Sequence, residues 1–288
     1  MNITRFYKDL SYYFMNGKVL MLTGPRRTGK TTLLRQLSET TPLKHRFDSG
    51  DDISMHQTLG SQDKKKILEY AEGYDLVIID EAQYIPNIGM GLKLLVDHLP
   101  DILVVVSGSS SFELTQKMGE PLTGRMQNLR LFPIAQLELL GKKNRHDLRQ
   151  NLEDYLIFGS YPEVLTFKLR DQKIKYLKEL AYSYLLKDIL SISGIRGSKK
   201  IFDLLILIAH QVGSEVSHYE LANRLELSSN TVSFYLELLE KSFVLINIRC
   251  FSRNLRKEIT KKSKYYFYDT GIRNAIISNF NDLPLRND

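Results

Sequence analysis

The stretch Gly24-Pro25-Arg26-Arg27-Thr28-Gly29-Lys30-Thr31 sets two glycines, a lysine and a hydroxyl residue at the spacing that wraps backbone amides around a phosphate. Gly24 and Gly29 let the chain curl until its N–H groups face inward, and Pro25, Arg26, Arg27 and Thr28 supply the rest of the cradle. Lys30 then neutralises β- and γ-phosphate oxygens, the Thr31 hydroxyl is a Mg²⁺ ligand, and Thr32 follows in the first helical turn. The apolar run Val19, Leu20, Met21, Leu22 predicts a strand before the loop. A helix from 30 to about 39 after it points its positive end at the same phosphates. The expected ligand is a nucleoside triphosphate.

Leu76-Val77-Ile78-Ile79-Asp80-Glu81 is a buried strand ending in two carboxylates, where the second half of such a site belongs. Asp80 is expected to hold Mg²⁺, directly or through water, and Glu81 to orient and deprotonate the attacking water. The adjacent pair separates hydrolases of the AAA and RecA type from most nucleotide kinases and GTPases. A later strand runs into Ser107-Gly108-Ser109-Ser110, and a polar side chain at its tip would lie between Glu81 and the γ-phosphate. Ser109 is favoured over Ser107 for that place; a serine turn capping a helix over 112–118 is the alternative. Arg125, in Pro121-Leu122-Thr123-Gly124-Arg125, is the candidate finger or sensor for the γ-phosphate, with a plain surface arginine as the alternative. Arg26 or Arg27 is also placed to approach phosphate or a neighbouring subunit.

These residues need a scaffold, and the pattern from 19 to about 133 alternates short β-branched runs with helical periodicity. Strands are predicted at 19–23, 45–48, 76–80, 102–106 and 127–131. Leu33, Leu34 and Leu37, and again Leu92, Leu95, Val96 and Leu99, are spaced to lie on one helical face. The reading is an α/β fold: a doubly wound parallel sheet of the P-loop NTPase type with helices on both faces, assigned to 1–145. Helical segments near 151–158 and 171–190 follow, separated by the turn signal Gly159-Ser160-Tyr161-Pro162, and 146–193 is assigned as a helical lid or linker. Beyond Gly194-Ile195-Arg196-Gly197-Ser198 come three apolar stripes: Ile201, Leu204, Leu205, Ile208; then Tyr219, Leu221, Ala222, Leu225; then Val232, Tyr235, Leu236, Leu239. Ser217 and Ser228 or Ser229 stand where helix N-caps are wanted. Two strands at 244–251 and 264–268 complete the pattern of a winged helix-turn-helix over 194–270, leaving 271–288 as a C-terminal extension and possible start of a further domain.

In a winged helix the third helix enters the DNA major groove, which makes Ser229, Asn230, Thr231 and Ser233 candidate contacts to bases or phosphates. The loop between the last two strands carries Arg253, Arg256, Lys257, Lys261, Lys262 and Lys264 against Glu258, a basic excess suited to a phosphate backbone. Winged helices also dock proteins, so duplex DNA and a protein partner both stand as readings. The formal charge of +7 adds little, because a nucleotide site accounts for some of it. Cys250 is the only cysteine, which excludes an internal disulfide or a cysteine-built metal cage. No apolar run is long enough to span a bilayer and the first eight residues lack a leader pattern, so a cytoplasmic address and no membrane partner are expected.

Together the motifs resemble the AAA-domain ATP-binding proteins of bacteria and archaea, whose C-terminal half is a domain of unknown function. The resemblance rests on the loop at 24–34, Ile-Ile-Asp-Glu-Ala-Gln at 78–83, Ser-Gly-Ser-Ser at 107–110, Gly124-Arg125, Phe132-Pro133, Gly-Ser-Tyr-Pro-Glu at 159–163 and Tyr-Asp-Thr-Gly-Ile-Arg at 268–273. It implies ATP rather than GTP, in keeping with the absence of an Asn-Lys-x-Asp guanine-reading motif. Family members usually continue into a nuclease-like α/β domain, whereas this sequence stops at Asp288, so no nuclease activity is assigned to it. The expectation is a Mg²⁺-dependent ATPase whose nucleotide state controls how the winged helix meets DNA or a protein, with homo-oligomers open. The alternative is a nucleotide-gated protein interaction switch with slow, incidental hydrolysis.

Overall fold

A computed structural model describes residues 3–108, 122–185, 198–249 and 262–286. Two compact units divide the chain: Arg5–Phe132, and Met1–Thr4 together with Pro133–Asp288.

The first unit is built on five parallel strands, β1 (Val19–Thr23), β2 (His45–Ser49), β3 (Leu76–Asp80), β4 (Leu103–Gly108) and β5 (Met126–Arg130), in the spatial order β2-β3-β4-β1-β5. The three inner strands are aliphatic runs buried on both faces, as a covered parallel sheet requires; β2 and β5, which carry His45, Arg46, Gln127 and Asn128, are the edges. Side chains alternate along each strand. Leu20, Leu22, Leu76, Ile78 and Val105 meet Leu33, Leu34 and Leu37 of α1 (Lys30–Thr40) on one face. Val19, Met21, Val77, Ile79, Val104 and Val106 meet Ile67 of α3 (Lys64–Ala71) and Leu92 and Leu95 of α4 (Ile88–His98) on the other, beside Met55 of α2 (Ile53–Thr58). Each such side chain withdrawn from water contributes about 1.5–3 kcal/mol. The helices thus lie on both faces, as the periodicity predicts.

The second unit begins earlier than 146. The Ile134 amide donates to the Ser160 carbonyl (2.8 Å), and Ile3, Ile134, Leu139 and Tyr155 form one small core. The segment 133–145, with α5 (Gln136–Leu139), therefore belongs to this half, because its apolar side chains are buried there and not under the parallel sheet. Next come α6 (Arg145–Gln150), α7 (Leu152–Phe158) and α8 (Arg170–Glu179), which runs on as a π-helical turn over Leu180–Leu185. Helices α9 (Ser198–His210), α10 (His218–Leu225) and α11 (Ser229–Lys241) follow, with β6 (Glu215–Val216), β7 (Leu245–Ile248) and β8 (Ser263–Phe267) forming an antiparallel sheet in the order β6-β8-β7. Ser217 and Ser228 cap α10 and α11, as the sequence predicts. Tyr219 departs from its predicted stripe and is 71% exposed. It lies two residues before Leu221, about 200° around the helix, so both cannot face one core. The two-residue β6 gives no sequence signal.

Residues assigned separately to 146–193, 194–270 and 271–288 pack together. Phe158, Leu177, Leu204, Leu236, Leu245, Ile272, Ala275, Ile276 and Phe280 share one core. Residues of α12 (Thr270–Ile276) are thus an integral wall of this half. The joint is tight. Gly159 has φ +72°, and a Cβ there would overlap the carboxylate of Asp269; one on Gly271 would overlap the Phe158 carbonyl. Asp269 accepts from the amides of Ser160 (2.7 Å) and Ile272 (3.1 Å), and also from Gly271. The Asn274 amide donates to the carbonyls of Ile157 (2.8 Å) and Leu156 (3.1 Å), and the Thr270 hydroxyl to that of Tyr155 (3.1 Å). The Asn274 bonds give partners to carbonyls in the last turn of α7, and Thr270 adds a second donor to the Tyr155 carbonyl, which also accepts from the Gly159 amide (2.9 Å). Complete burial lifts the Asp269 carboxyl to about 6 against the pull of its three amide donors. The strings Gly-Ser-Tyr-Pro and Asp-Thr-Gly-Ile-Arg are therefore the two halves of a structural clasp.

Candidate nucleotide site

In a parallel sheet the loops after the strand ends are where ligands collect, and here β4 lies between β1 and β3. The loop after β1 and the acidic pair after β3 consequently flank one strand tip. Gly24 has φ +146° and its α-carbon faces the Leu131 carbonyl, so any side chain would be driven into backbone; Gly29 (φ +96°) opens α1 without a capping side chain. Arg27 holds the left-handed region at φ +60°. Lys30 is buried, and its ammonium donates to the carbonyls of Gly24 (2.9 Å) and Pro25 (2.8 Å). The buried Thr28 hydroxyl donates to Pro25 as well (2.9 Å). Thr31 and Thr32 occupy the first turn of α1, half-buried and exposed respectively. A curled loop, a buried cation and an uncapped helix start form a cradle for an anion.

Asp80 ends β3, 6% exposed, and its carboxylate accepts from the Ser107 hydroxyl and from the Glu81 amide (3.1 Å). The Glu81 amide also bonds the Ser107 oxygen (3.0 Å). Ser107 is fully buried and pairs in register with Leu22 of β1, so among the described residues Ser107 is a serine brought to the site. Ser109, preferred on sequence grounds, lies outside the described residues. Glu81 itself takes a left-handed conformation (φ +50°), and its carboxylate accepts from the Gln83 amide nitrogen (2.5 Å). Gly50 is pressed on the Glu81 carbonyl from the β2 side. Asp80 and Thr31 offer one carboxylate and one hydroxyl, a donor set that suits Mg²⁺, which takes few protein ligands and completes its shell with phosphate oxygens and water.

Arg125 is not brought to this site. It precedes β5, its carbonyl accepts from the Val19 amide (2.7 Å) at the opposite end of β1 from the loop, and its guanidinium pairs with Asp97 of α4. Four residues of strand, roughly 13 Å, separate it from the loop of its own chain. A residue just before a strand lies at the wrong end of a parallel sheet for that strand's neighbour loops, which is the physical reason the expectation fails within one chain.

Arg26 of the loop motif makes a further link, and Thr23 and Arg5 reach the site without a motif to announce them. Arg26 donates to the Tyr84 hydroxyl (2.9 Å), linking the loop to the segment after Glu81. The Thr23 hydroxyl, one residue before the loop, donates to the Asn128 side chain (2.7 Å). Arg5 bonds backbone carbonyls on either side of the loop's base. In the second unit Ser229, Asn230 and Ser233 are exposed on α11, while the Thr231 amide and hydroxyl bond the capping Ser228. Lys262 is exposed; Arg253, Arg256, Lys257 and Lys261 lie outside the described residues.

Comparison with known proteins divides the chain between 140 and 149, where the sequence reading also divides it. Residues 16–140 match the family model described as AAA domain, and residues 149–283 match a domain of unknown function (DUF8612). The chain is thus similar to an AAA domain over 16–140 and, over 149–283, to a domain whose family model states no function. Uncharacterized protein Rv2008c of Mycobacterium tuberculosis is 27% identical over 262 residues, which cover 90% of this chain and 56% of that protein. An uncharacterized protein of Haemophilus influenzae is 24% identical, covering 90% of this chain and 69% of that one. The chain therefore spans little more than half the length of the first of these relatives. Among solved structures, Thermotoga maritima RuvB R170A is 18% identical with a TM-score of 0.38, covering 85% of this chain and 87% of that one; a score this low bears no weight on function. Among the described residues, no helix is long and apolar enough to cross a membrane.

Proposed function

We propose that this chain binds ATP with Mg²⁺ and hydrolyses it to ADP and phosphate, and that its nucleotide state governs the C-terminal half. The observation that carries this reading is the convergence of Lys30, Asp80, Ser107 and Glu81 at neighbouring strand ends. The loop amides and Lys30 bind the β- and γ-phosphates; Thr31 and Asp80 would hold Mg²⁺, which supplies charge neutralisation when bound. Glu81 takes the proton from water as its oxygen attacks the γ-phosphorus, and the bond to the β-bridging oxygen breaks. Ser107 fixes the Asp80 carboxylate and the Glu81 backbone, so the two carboxylates keep distinct tasks. ATP and ADP are the expected ligands, and the test of both steps is given in the Discussion.

Arg125 is proposed to act on the γ-phosphate of a neighbouring copy in a homo-oligomer. Its exposed pair with Asp97 is the kind that exchanges partners at small cost. Arg125→Ala should then lower turnover by about 10³-fold with ATP binding intact. Mixing it with Lys30→Ala protein should restore part of the activity; normal turnover in Arg125→Ala would reduce the residue to a surface ion pair.

The order α9-β6-α10-α11-β7-β8 supports a winged helix, with Ser229, Asn230, Thr231, Ser233, Lys262 and the basic loop residues Arg253, Arg256, Lys257 and Lys261 as its duplex DNA contacts. A protein partner is the second reading. It is favoured by Tyr219 and Phe234, 71% and 46% exposed, and by Glu237 pairing with Lys241 on the helix that would enter the groove. If the basic residues meet phosphates, neutralising each should lower the salt slope of duplex binding by about one, whereas Asn230→Ala should alter sequence preference with little salt effect. Duplex affinity over a salt series, with and without ATP, measures this. Absent binding in every condition would select the protein partner.

A further inference from the structure

We infer that Arg5 is a positioning residue that ties the phosphate loop to both places where the chain passes between its two units; the inference rests on the reading of that loop as the ATP site. The first crossing lies between Thr4 and Arg5, the second between Phe132 and Pro133. Arg5 is the residue just inside the first. One arm of its guanidinium donates to the carbonyl of Thr28, within the loop, at 2.5 Å, and the other to the carbonyl of Phe132, just inside the second crossing, at 2.5 Å. Carbonyls 23 and 127 positions away along the chain are thus joined by one planar fork, which a lysine, with a single point of charge, cannot reproduce. The same segment is locked to the front of the loop: the Leu131 amide donates to the Thr23 carbonyl (2.7 Å), and Gly24 sits against the Leu131 carbonyl too closely for any side chain.

The loop is therefore fastened to the Leu131–Phe132 segment at its first residue, and through Arg5 at its far side. Between those fastenings Lys30 holds the carbonyls of Gly24 and Pro25. A triphosphate competes with those carbonyls for the ammonium, because a charged oxygen is the stronger acceptor. The loop backbone adjusts as Lys30 turns to the phosphates, and Arg5 carries the adjustment to both crossings. Neither the loop motif nor the acidic pair requires an arginine at position 5; its two carbonyl partners are what assign it this part.

The test is amide hydrogen exchange on the full chain, with and without Mg-ADP, for wild type, Arg5→Lys and Arg5→Ala. Wild type is expected to show nucleotide-dependent slowing in the loop and also at the amides of Phe6, Tyr7, Phe132 and Ile134. Both variants should bind Mg-ADP within about tenfold of wild type and keep the slowing in the loop, but lose it at the crossings. Arg5→Lys retains the charge and serves if the alanine variant fails to fold. Crossings that respond to nucleotide equally in wild type and in the lysine variant would overturn the inference alone, as would wild type that binds Mg-ADP with no response there. Wild type that binds no nucleotide would overturn the ATP reading and this inference together.

Discussion

Glu81→Gln is expected to bind ATP as wild type does and to hydrolyse it about 10²- to 10⁴-fold more slowly, the range a positioned general base supplies. Glutamine keeps the size of the side chain and an oxygen to accept from Gln83, so the left-handed backbone, the bond from the Glu81 amide to Ser107 and the contact of Gly50 with the Glu81 carbonyl all persist. Only the capacity to take a proton is lost. Phosphate release under saturating ATP, paired with equilibrium binding, measures the two quantities separately. Near-normal release would remove Glu81 from the chemistry.

The second large effect is on stability. Gly159→Ala combines a positive φ with overlap against the Asp269 carboxylate, and moving that carboxylate strands the amides of Ser160, Gly271 and Ile272. A loss of more than about 4 kcal/mol is expected, as for other changes that break a buried polar network. Gly17→Ala is the control: it has a similar φ of +70° but nothing within 4 Å, so only the backbone penalty of about 1 kcal/mol applies. Urea unfolding of both variants decides whether the close contact or the dihedral dominates. The clasp also has a pH signature. Asp269 holds its proton to about pH 6 in the folded chain, above its ordinary 3.8, so folding takes up a proton between those values. Stability from this group rises as pH falls from above 6 toward 4 and is lost as pH rises through 6. Asp269→Ala should lack that dependence.

The phosphate loop and the acidic pair were legible in the sequence because each is local: eight consecutive residues dictate the curl, and a buried strand ending in carboxylates dictates where the pair emerges. What depends on register was not. Ser107 faces Asp80 because β4 aligns Val106 with Ile79, which sets the next residues of the two strands side by side, and no local pattern announces that register. Arg125 was placed by its neighbours in sequence, which do not say at which end of the sheet a strand begins. The Arg5 bonds to the Thr28 and Phe132 carbonyls reach 23 and 127 positions away, and a backbone acceptor gives no residue type to read. The Gly159 and Asp269 strings were visible as strings, yet their meaning lies in a contact 109 to 110 residues apart, and that meaning is packing.

Equilibrium binding of Mg-ATP to the full chain and to Lys30→Ala tests the central claim most directly, because the loop cradle either binds a triphosphate or it does not. Lys30 is the buried cation of that cradle, held by the Gly24 and Pro25 carbonyls, and removing it leaves the fold's apolar core untouched. Wild type is expected to bind, and the variant to bind at least about tenfold more weakly, ~1.4 kcal/mol, while melting at a similar temperature. Equal affinity in the two proteins, or no binding by wild type, would contradict the assignment of this site.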